Sequence, residues 1–174
     1  GRNYTMKKIS KFEKISIQQF TKDWKDTFGE CTDEQISEIY EKIKLPARAT
    51  SGSAGYDFYS PCSFVLKPGE TIKIPTGIRS KIDDGWVLSC YPRSGLGFKY
   101  RLQLNNTVGI IDSDYYYSDN QGHIMAKLTN DSNTDMTLEL SAGSAFMQGI
   151  FTEYGITVDD NVTSVRNGGF GSTD

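Results

Sequence analysis

The sequence predicts an all-β fold, a jelly-roll β-barrel, with a helical hairpin added at its N-terminal end. Past Pro46 the apolar residues fall into short runs punctuated by Gly, Pro, Asn and Asp, with turns such as Lys67-Pro68-Gly69-Glu70 and Asp83-Asp84-Gly85. That spacing belongs to a barrel or jelly roll. No helix-length periodic stretch occurs there. Before Pro46 the apolar period is helical, and each helix opens on a recognisable cap. The 174 residues suit one domain, and 37% hydrophobic residues with nine Phe, ten Tyr and two Trp are enough for a core.

Gly1 to Met6 carry no pattern and read as a frayed start. Ser16 with Gln19 three residues on reads as a capping box, and Ile17, Phe20, Trp24 and Phe28 follow at helical spacing until Gly29. Thr32 and Gln35 repeat the device ahead of Ile36, Ile39, Tyr40 and Ile43, and Leu45-Pro46 ends that stripe. Residues 16–45 therefore read as a helical hairpin, expected to bury Trp24 and Phe28 against the barrel. Strands are expected at 62–66, 71–74, 86–91, 102–104, 108–111, 123–129, 136–140 and 145–151. The glycine-rich, polar end from Asn167 to Asp174 reads as a mobile tail. The expected division is 1–45 for the N-terminal extension, 46–165 for the barrel and 166–174 for a C-terminal flap.

Composition excludes several functions. A net charge of −3 argues against a dedicated nucleic-acid binder. No apolar run approaches the roughly 20 residues of a membrane helix, and no signal peptide opens the chain, so no membrane partner is expected. Cys31, Cys62 and Cys90 are odd in number and widely spaced, which reads as reduced, mostly buried thiols in a cytoplasmic protein. With His123 as the only histidine, a multi-histidine metal site is excluded, while a Ser-His-Asp triad stays arithmetically open.

Four clusters suit neither plain core nor plain surface. In Ser51-Gly52-Ser53-Ala54-Gly55-Tyr56-Asp57-Phe58, small residues allow close backbone approach and Asp57 sits between two aromatics; the run also reads as a loop leading into a strand. In Tyr91-Pro92-Arg93-Ser94-Gly95-Leu96-Gly97-Phe98, an arginine, a hydroxyl and freed N–H groups make a phosphate cradle or an ordinary turn, but not a Walker A loop. In Asn105-Asn106-Thr107-Val108-Gly109-Ile110-Ile111-Asp112-Ser113-Asp114-Tyr115, an apolar strand runs into two carboxylates one residue apart. Continued as a strand, it places both on one side, as for a metal, a shared proton or an organised water; a solvated strand end is the plain alternative. In Arg166-Asn167-Gly168-Gly169-Phe170-Gly171-Ser172-Thr173, one aromatic among glycines is flanked by groups that bind anionic oxygens, a pattern suited to a flap.

Taken in order, and with Gly143-Ser144-Ala145-Phe146-Met147-Gln148 between the third and fourth, these runs resemble the five motifs of the homotrimeric dUTPase family over about residues 45–174. The resemblance implies a jelly roll, a homotrimer with shared active sites, and Mg²⁺-dependent hydrolysis of dUTP to dUMP and pyrophosphate. That reaction keeps uracil out of DNA and supplies dUMP for thymidylate synthesis. By the same resemblance Asp112 activates the attacking water, and Tyr115 lies under the deoxyribose and refuses a 2′-hydroxyl. Arg93, Ser94 and Gly95 grip the phosphates, with Gln148 near the α-phosphate. Asp57 belongs to the network around the Mg²⁺, which is held mainly by substrate phosphates and waters. Asn106, with backbone near Ile110 and Met125, reads the uracil edge, and Arg166, Phe170, Gly171, Ser172 and Thr173 close over the nucleotide. Residues 46–174 contain only ten Lys and Arg, so the metal must supply much of the charge neutralisation.

The chain departs from the family pattern in four places. The third motif carries about five extra residues after Tyr115, the fifth has one fewer after Arg166, Asp174 replaces a common glycine, and the hairpin has no counterpart in minimal members. Two other readings follow from the relatives. The dCTP deaminases share the fold but need a glutamate base, which His123 to Asn130 lacks. Some phage members act as protein-binding regulators, for which the hairpin or the loop from Tyr116 to Gln121 offers a surface. The expected location is the cytoplasm, or the host cytoplasm for a phage protein.

Overall fold

The computed structural model describes residues 5–166; Phe170, Gly171, Ser172 and Thr173 of the expected flap lie outside the described residues. The chain runs β1 (Ser10–Lys14), α1 (Ile17–Phe28), α2 (Asp33–Glu41), β2 (Tyr56–Tyr59), β3 (Phe64–Leu66), β4 (Thr71–Pro75), β5 (Ile78–Ile82) and β6 (Trp86–Pro92). Then follow α3 (Ser94–Tyr100), β7 (Leu102–Leu104), β8 (Gly109–Ile111), a 3₁₀ turn (Ser113–Tyr117), β9 (Met125–Asn130), β10 (Leu138–Leu140) and β11 (Ala145–Glu153). Strands therefore dominate, as the punctuated runs predict. They pair antiparallel in the orders β2-β11-β6-β8 and β4-β9-β7, with β1-β5 and β10-β3 as two-stranded ribbons.

β1, β5, α3 and the 3₁₀ turn escape the sequence reading. β1 has one apolar residue in five, Phe12, and exists because it pairs with β5 from Ser10↔Ile82 to Lys14↔Ile78. Phe12 then packs on Tyr56, Phe58 and Phe151, with ring centroids 5.2, 5.6 and 5.6 Å away. Tertiary pairing here overrides a weak local pattern. β5 was likewise hidden between charged residues. α3 contains two glycines and no buried residue, so neither propensity nor periodicity announces it.

The helices show how caps are shared with the rest of the fold. Thr32 and Gln35 form the complete reciprocal box at α2. At α1 the expected box is only half made: Ser16 Oγ accepts from Gln19 N at 3.2 Å, but the Gln19 amide turns to Asp23. The Ser16 N–H goes instead to Gln121 Oε1 at 2.8 Å. A side chain about a hundred residues away thus completes the cap.

Two apolar clusters result. The larger lies between the sheets and is built from residues such as Phe58, Ile74, Leu88, Leu128, Leu138 and Phe146. The smaller joins Ile15, Phe20, Trp24 and Ile36, with Ile43 packed against both clusters. Trp24 is buried as expected, whereas Phe28 is 37% exposed at the helix end. Gly77, at φ +78°, makes the seating possible: a Cβ there would strike Ile43 Cδ1 and press on the Phe20 ring.

Candidate functional site

β11 is the organising strand. Gln148 pairs with Asp57 of β2 on one side and with Tyr91 of β6 on the other, so residues from three separate motifs become neighbours. The β11–β2 register shifts between Ala145 and Met147, and Phe146 O, inside that irregularity, accepts from Arg93 N at 3.4 Å. Arg93 is the N-cap residue of α3, and its Nε lies 3.4 Å from Asp57 Oδ1. Gln148 Nε2 donates to Pro92 O at 3.3 Å. Ser94 and Gly95 form the first turn of α3, on which no side-chain cap falls. Arg93, Ser94, Gly95, Asp57 and Gln148 therefore gather around β11, where β6 ends at Pro92.

The two carboxylates come together by a different route from the one periodicity suggests. β8 ends at Ile111; Asp112 is the N-cap residue of the 3₁₀ turn and Asp114 lies inside it. The strand does not continue, yet both acids meet one guanidinium. Arg166 Nη2 is 2.7 Å from Asp112 Oδ2, and Arg166 Nε is 2.8 Å from Asp114 Oδ1. The arginine side chain is largely covered while both carboxylates are about half exposed. Charge-assisted bonds of this kind fix the orientation of each carboxylate.

Beside this cluster, β7, β8 and β9 enclose a pocket of about 420 Å³. Asn106, Gly109, Ile111, Met125 and Met147 line it, together with Lys73 of β4. Ile111 directly precedes Asp112, so the pocket ends at the acidic turn. Ile110 points the other way, its side chain 50% exposed on the opposite face of β8. Cys90 also lines the pocket, and burial pushes its thiol up to about 12. Nothing in the sequence marks Lys73 or Met147 as pocket residues; β4–β9 pairing and the inward face of β11 bring them there.

Tyr115 is 2% exposed. Its hydroxyl donates to His123 O at 2.5 Å and accepts from Asn120 Nδ2 at 2.9 Å, and burial pushes its pKa up to about 12. His123 is fully buried, with Nε2 accepting from Gly77 N at 2.9 Å and Nδ1 2.6 Å from Asp23 Oδ2. Because a backbone N–H can only donate, Nε2 carries the lone pair and Nδ1 carries the proton. No serine proton can reach that Nε2, so the triad left open by composition is excluded. Among the described residues, no group of three or more His, Cys, Asp and Glu is placed to hold a metal ion. No helix of the described residues is long and apolar enough to cross a membrane.

Burial drives the His123 pKa below its ordinary 6.5, against the pull of Asp23. For Asp23, burial works upward but hydrogen bonds from His123 and Gln19 carry the value below 3.8. The unfolded chain therefore binds the imidazole proton at a higher pH than the native one. Stability from this pair is complete above about pH 6.5 and declines as pH falls through 6.5 toward the lowered native value. Urea unfolding at about pH 7.5 and about pH 5.5 should show the loss, and His123→Gln should flatten the difference. An equal pH dependence in the variant would assign it to other groups.

The dUTPase family model matches residues 41–174. A deoxyuridine 5′-triphosphate nucleotidohydrolase of Tolumonas auensis is 44% identical over 142 residues, covering 78% of this chain and 90% of the relative. One of Lactococcus lactis is 38% identical over 134 residues, covering 75% and 88%. The crystal structure of dUTPase from Streptococcus mutans matches with a TM-score of 0.61 at 34% identity, covering 84% of this chain and 97% of that one. A family match over most of the length, with relatives of this identity, shows that the chain belongs to the dUTPase family.

Proposed function

We propose that the chain hydrolyses dUTP to dUMP and pyrophosphate, with Asp112 as general base. The observation that carries this is the pocket beside Asp112, lined by Asn106 and Met125 and ending at an acidic turn oriented by Arg166. Uracil enters the β7–β8 side, where the Asn106 amide offers both a donor and an acceptor to the pyrimidine edge, and the hairpin after Asn106 excludes a thymine methyl sterically. Tyr115 supports the deoxyribose and leaves no room for a 2′-hydroxyl. The phosphates extend toward Arg93, Ser94, Gly95 and Gln148.

A water held by the Asp112 carboxylate attacks the α-phosphorus and passes its proton to that carboxylate. A new P–O bond forms to the water oxygen, the α–β bridging bond breaks, and pyrophosphate leaves with the bonding pair. Arg93 and Ser94 meet the charge that develops on the leaving group. When bound, Mg²⁺ held mainly by the substrate phosphates and waters, with Asp57 in the surrounding network, would supply further neutralisation of that charge. The donor set fits such an ion: at the phosphate-binding cluster stands one carboxylate, Asp57, 3.4 Å from Arg93, and among the described residues no group of three or more His, Cys, Asp and Glu forms a protein cage.

The same reading makes the β-body a jelly roll with residues 16–45 as an added helical hairpin, assembled as a homotrimer with shared active sites. The flap reading assigns Arg166, Phe170, Gly171, Ser172 and Thr173 to the nucleotide, residues 167–174 lying outside the described residues. Three unpaired cysteines suit a cytoplasmic setting. Pyrophosphate release from dUTP, dCTP and dTTP, with and without Mg²⁺, tests the proposal. Rapid Mg²⁺-dependent release from dUTP alone is expected; ammonia from dCTP, or equal turnover of all three, would overturn it.

A further inference from the structure

The third motif's extra residues and the N-terminal extension, separate puzzles in the sequence, form one structure. Ser16 and Gln121 exchange two hydrogen bonds, Ser16 N to Oε1 at 2.8 Å and Nε2 to Ser16 Oγ at 2.9 Å. The Tyr116 hydroxyl donates to Glu13 of β1 at 2.6 Å, while Arg79 of β5 stacks 4.2 Å from the Tyr116 ring. Gly122, at φ +71°, lies so near the start of the loop that a Cβ would stand 2.6 Å from Tyr116 Cα and 2.7 Å from Tyr115 O. Residues 121–123 are thereby folded back tightly onto Tyr115 and Tyr116. At the centre runs a chain of partners: Asp23 of α1 holds His123 Nδ1, Gly77 just ahead of β5 holds Nε2, and the His123 carbonyl holds the Tyr115 hydroxyl.

We infer that Asp23 and His123 are positioning residues for Tyr115, so that helix α1 sets how closely the sugar floor of the site approaches its substrate. The inference rests on the proposed role of Tyr115 beneath the deoxyribose. Burying a carboxylate beside an imidazole is not a favourable way to attach a helix, since apolar packing from Phe20 and Trp24 already does that. What the pair adds is direction. With Asp23 accepting from Nδ1 and Gly77 donating to Nε2, the ring has one tautomer and one orientation. The peptide whose carbonyl accepts from the Tyr115 hydroxyl is fixed with it. Rejection of a 2′-hydroxyl is a steric decision over a fraction of an ångström, so it depends on that placement, whereas the phosphate-binding residues lie on other elements and the Asp112 carboxylate, at the head of the same 3₁₀ turn, is held separately by Arg166.

The readout is therefore the ratio of kcat/KM for dUTP to that for UTP, measured below each variant's melting temperature. Asp23→Ala is expected to lower the ratio about tenfold while kcat on dUTP stays within about twofold. Asp23→Asn keeps an oxygen that can accept from Nδ1 and should hold the wild-type ratio. Tyr115→Phe removes the hydroxyl that His123 anchors and should lower the ratio to a similar extent. In the double variant the losses should fail to add, because both break one chain of contacts. A purely structural role would lower the melting temperature of Asp23→Ala and leave the ratio unchanged, and that result overturns the inference. If Asp23→Ala does not fold, Tyr115→Phe decides: a wild-type ratio there overturns it. Tyr115→Val separates the two readings. If even that variant discriminates normally, the role of Tyr115 itself fails; if it loses discrimination while Asp23→Ala keeps it, only the positioning inference fails.

Discussion

Asp112→Asn should lower kcat for dUTP by about 10²–10⁴-fold while leaving dUTP binding within a few-fold of wild type. The substitution keeps the side chain's size and one oxygen able to accept from Arg166 Nη2, now 2.7 Å from the carboxylate. It removes the capacity to take a proton from water. Loss of positioning alone would raise KM; loss of a proton acceptor in the transition state lowers kcat with binding retained. The two acids share one arginine, so Asp114→Asn is the necessary companion. It keeps a hydrogen bond to Arg166 Nε and should cost much less. Should Asp114→Asn instead prove the more damaging, the base would be Asp114 and Asp112 its partner on the guanidinium. The melting temperature of each variant, read alongside, separates a chemical effect from a weakened turn.

How far the sequence reveals this site depends on how local each signal is. The strands 102–104 and 71–75 are legible because alternation and turn residues are written into a few neighbouring positions. β1 is not, since its stability comes from β5 seventy residues away. The motif residues could be named one by one, but their meeting could not. Asp57, Arg93 and Gln148 converge only because β11 lies between β2 and β6, an order that no local pattern encodes. The pair Asp112 and Asp114 shows the opposite case: strand periodicity gives the right association for the wrong reason, because a 3₁₀ turn and Arg166 bring the acids together. His123 is harder still. A lone histidine in a polar loop carries no hint that its carboxylate partner lies a hundred residues earlier on a helix.

The extension itself is testable through its smaller core. Phe20 is completely buried, touches the rings of Trp24, Tyr40 and His123, and sits over Gly77. Phe20→Ala removes most of a ring from the centre of a cluster with only four fully enclosed members, and such a cavity costs about 3–5 kcal/mol. All four members precede residue 46, and the larger cluster between the sheets is left intact, so the loss should be local. Hydrogen exchange should accelerate across α1 and α2 while β6 and β11 amides stay protected. Urea unfolding should shift by the full amount only if the helices and the β-body unfold together. A loss below about 1 kcal/mol would mean that the helices are held chiefly by their polar contacts to the third motif. Because Phe20 packs on the ring of His123, whose backbone carbonyl accepts from the Tyr115 hydroxyl, this variant should also discriminate less well against UTP at temperatures where it still turns over dUTP. That pairing of a helix-core defect with a sugar-selectivity defect links the stability of the extension to the chemistry of the pocket.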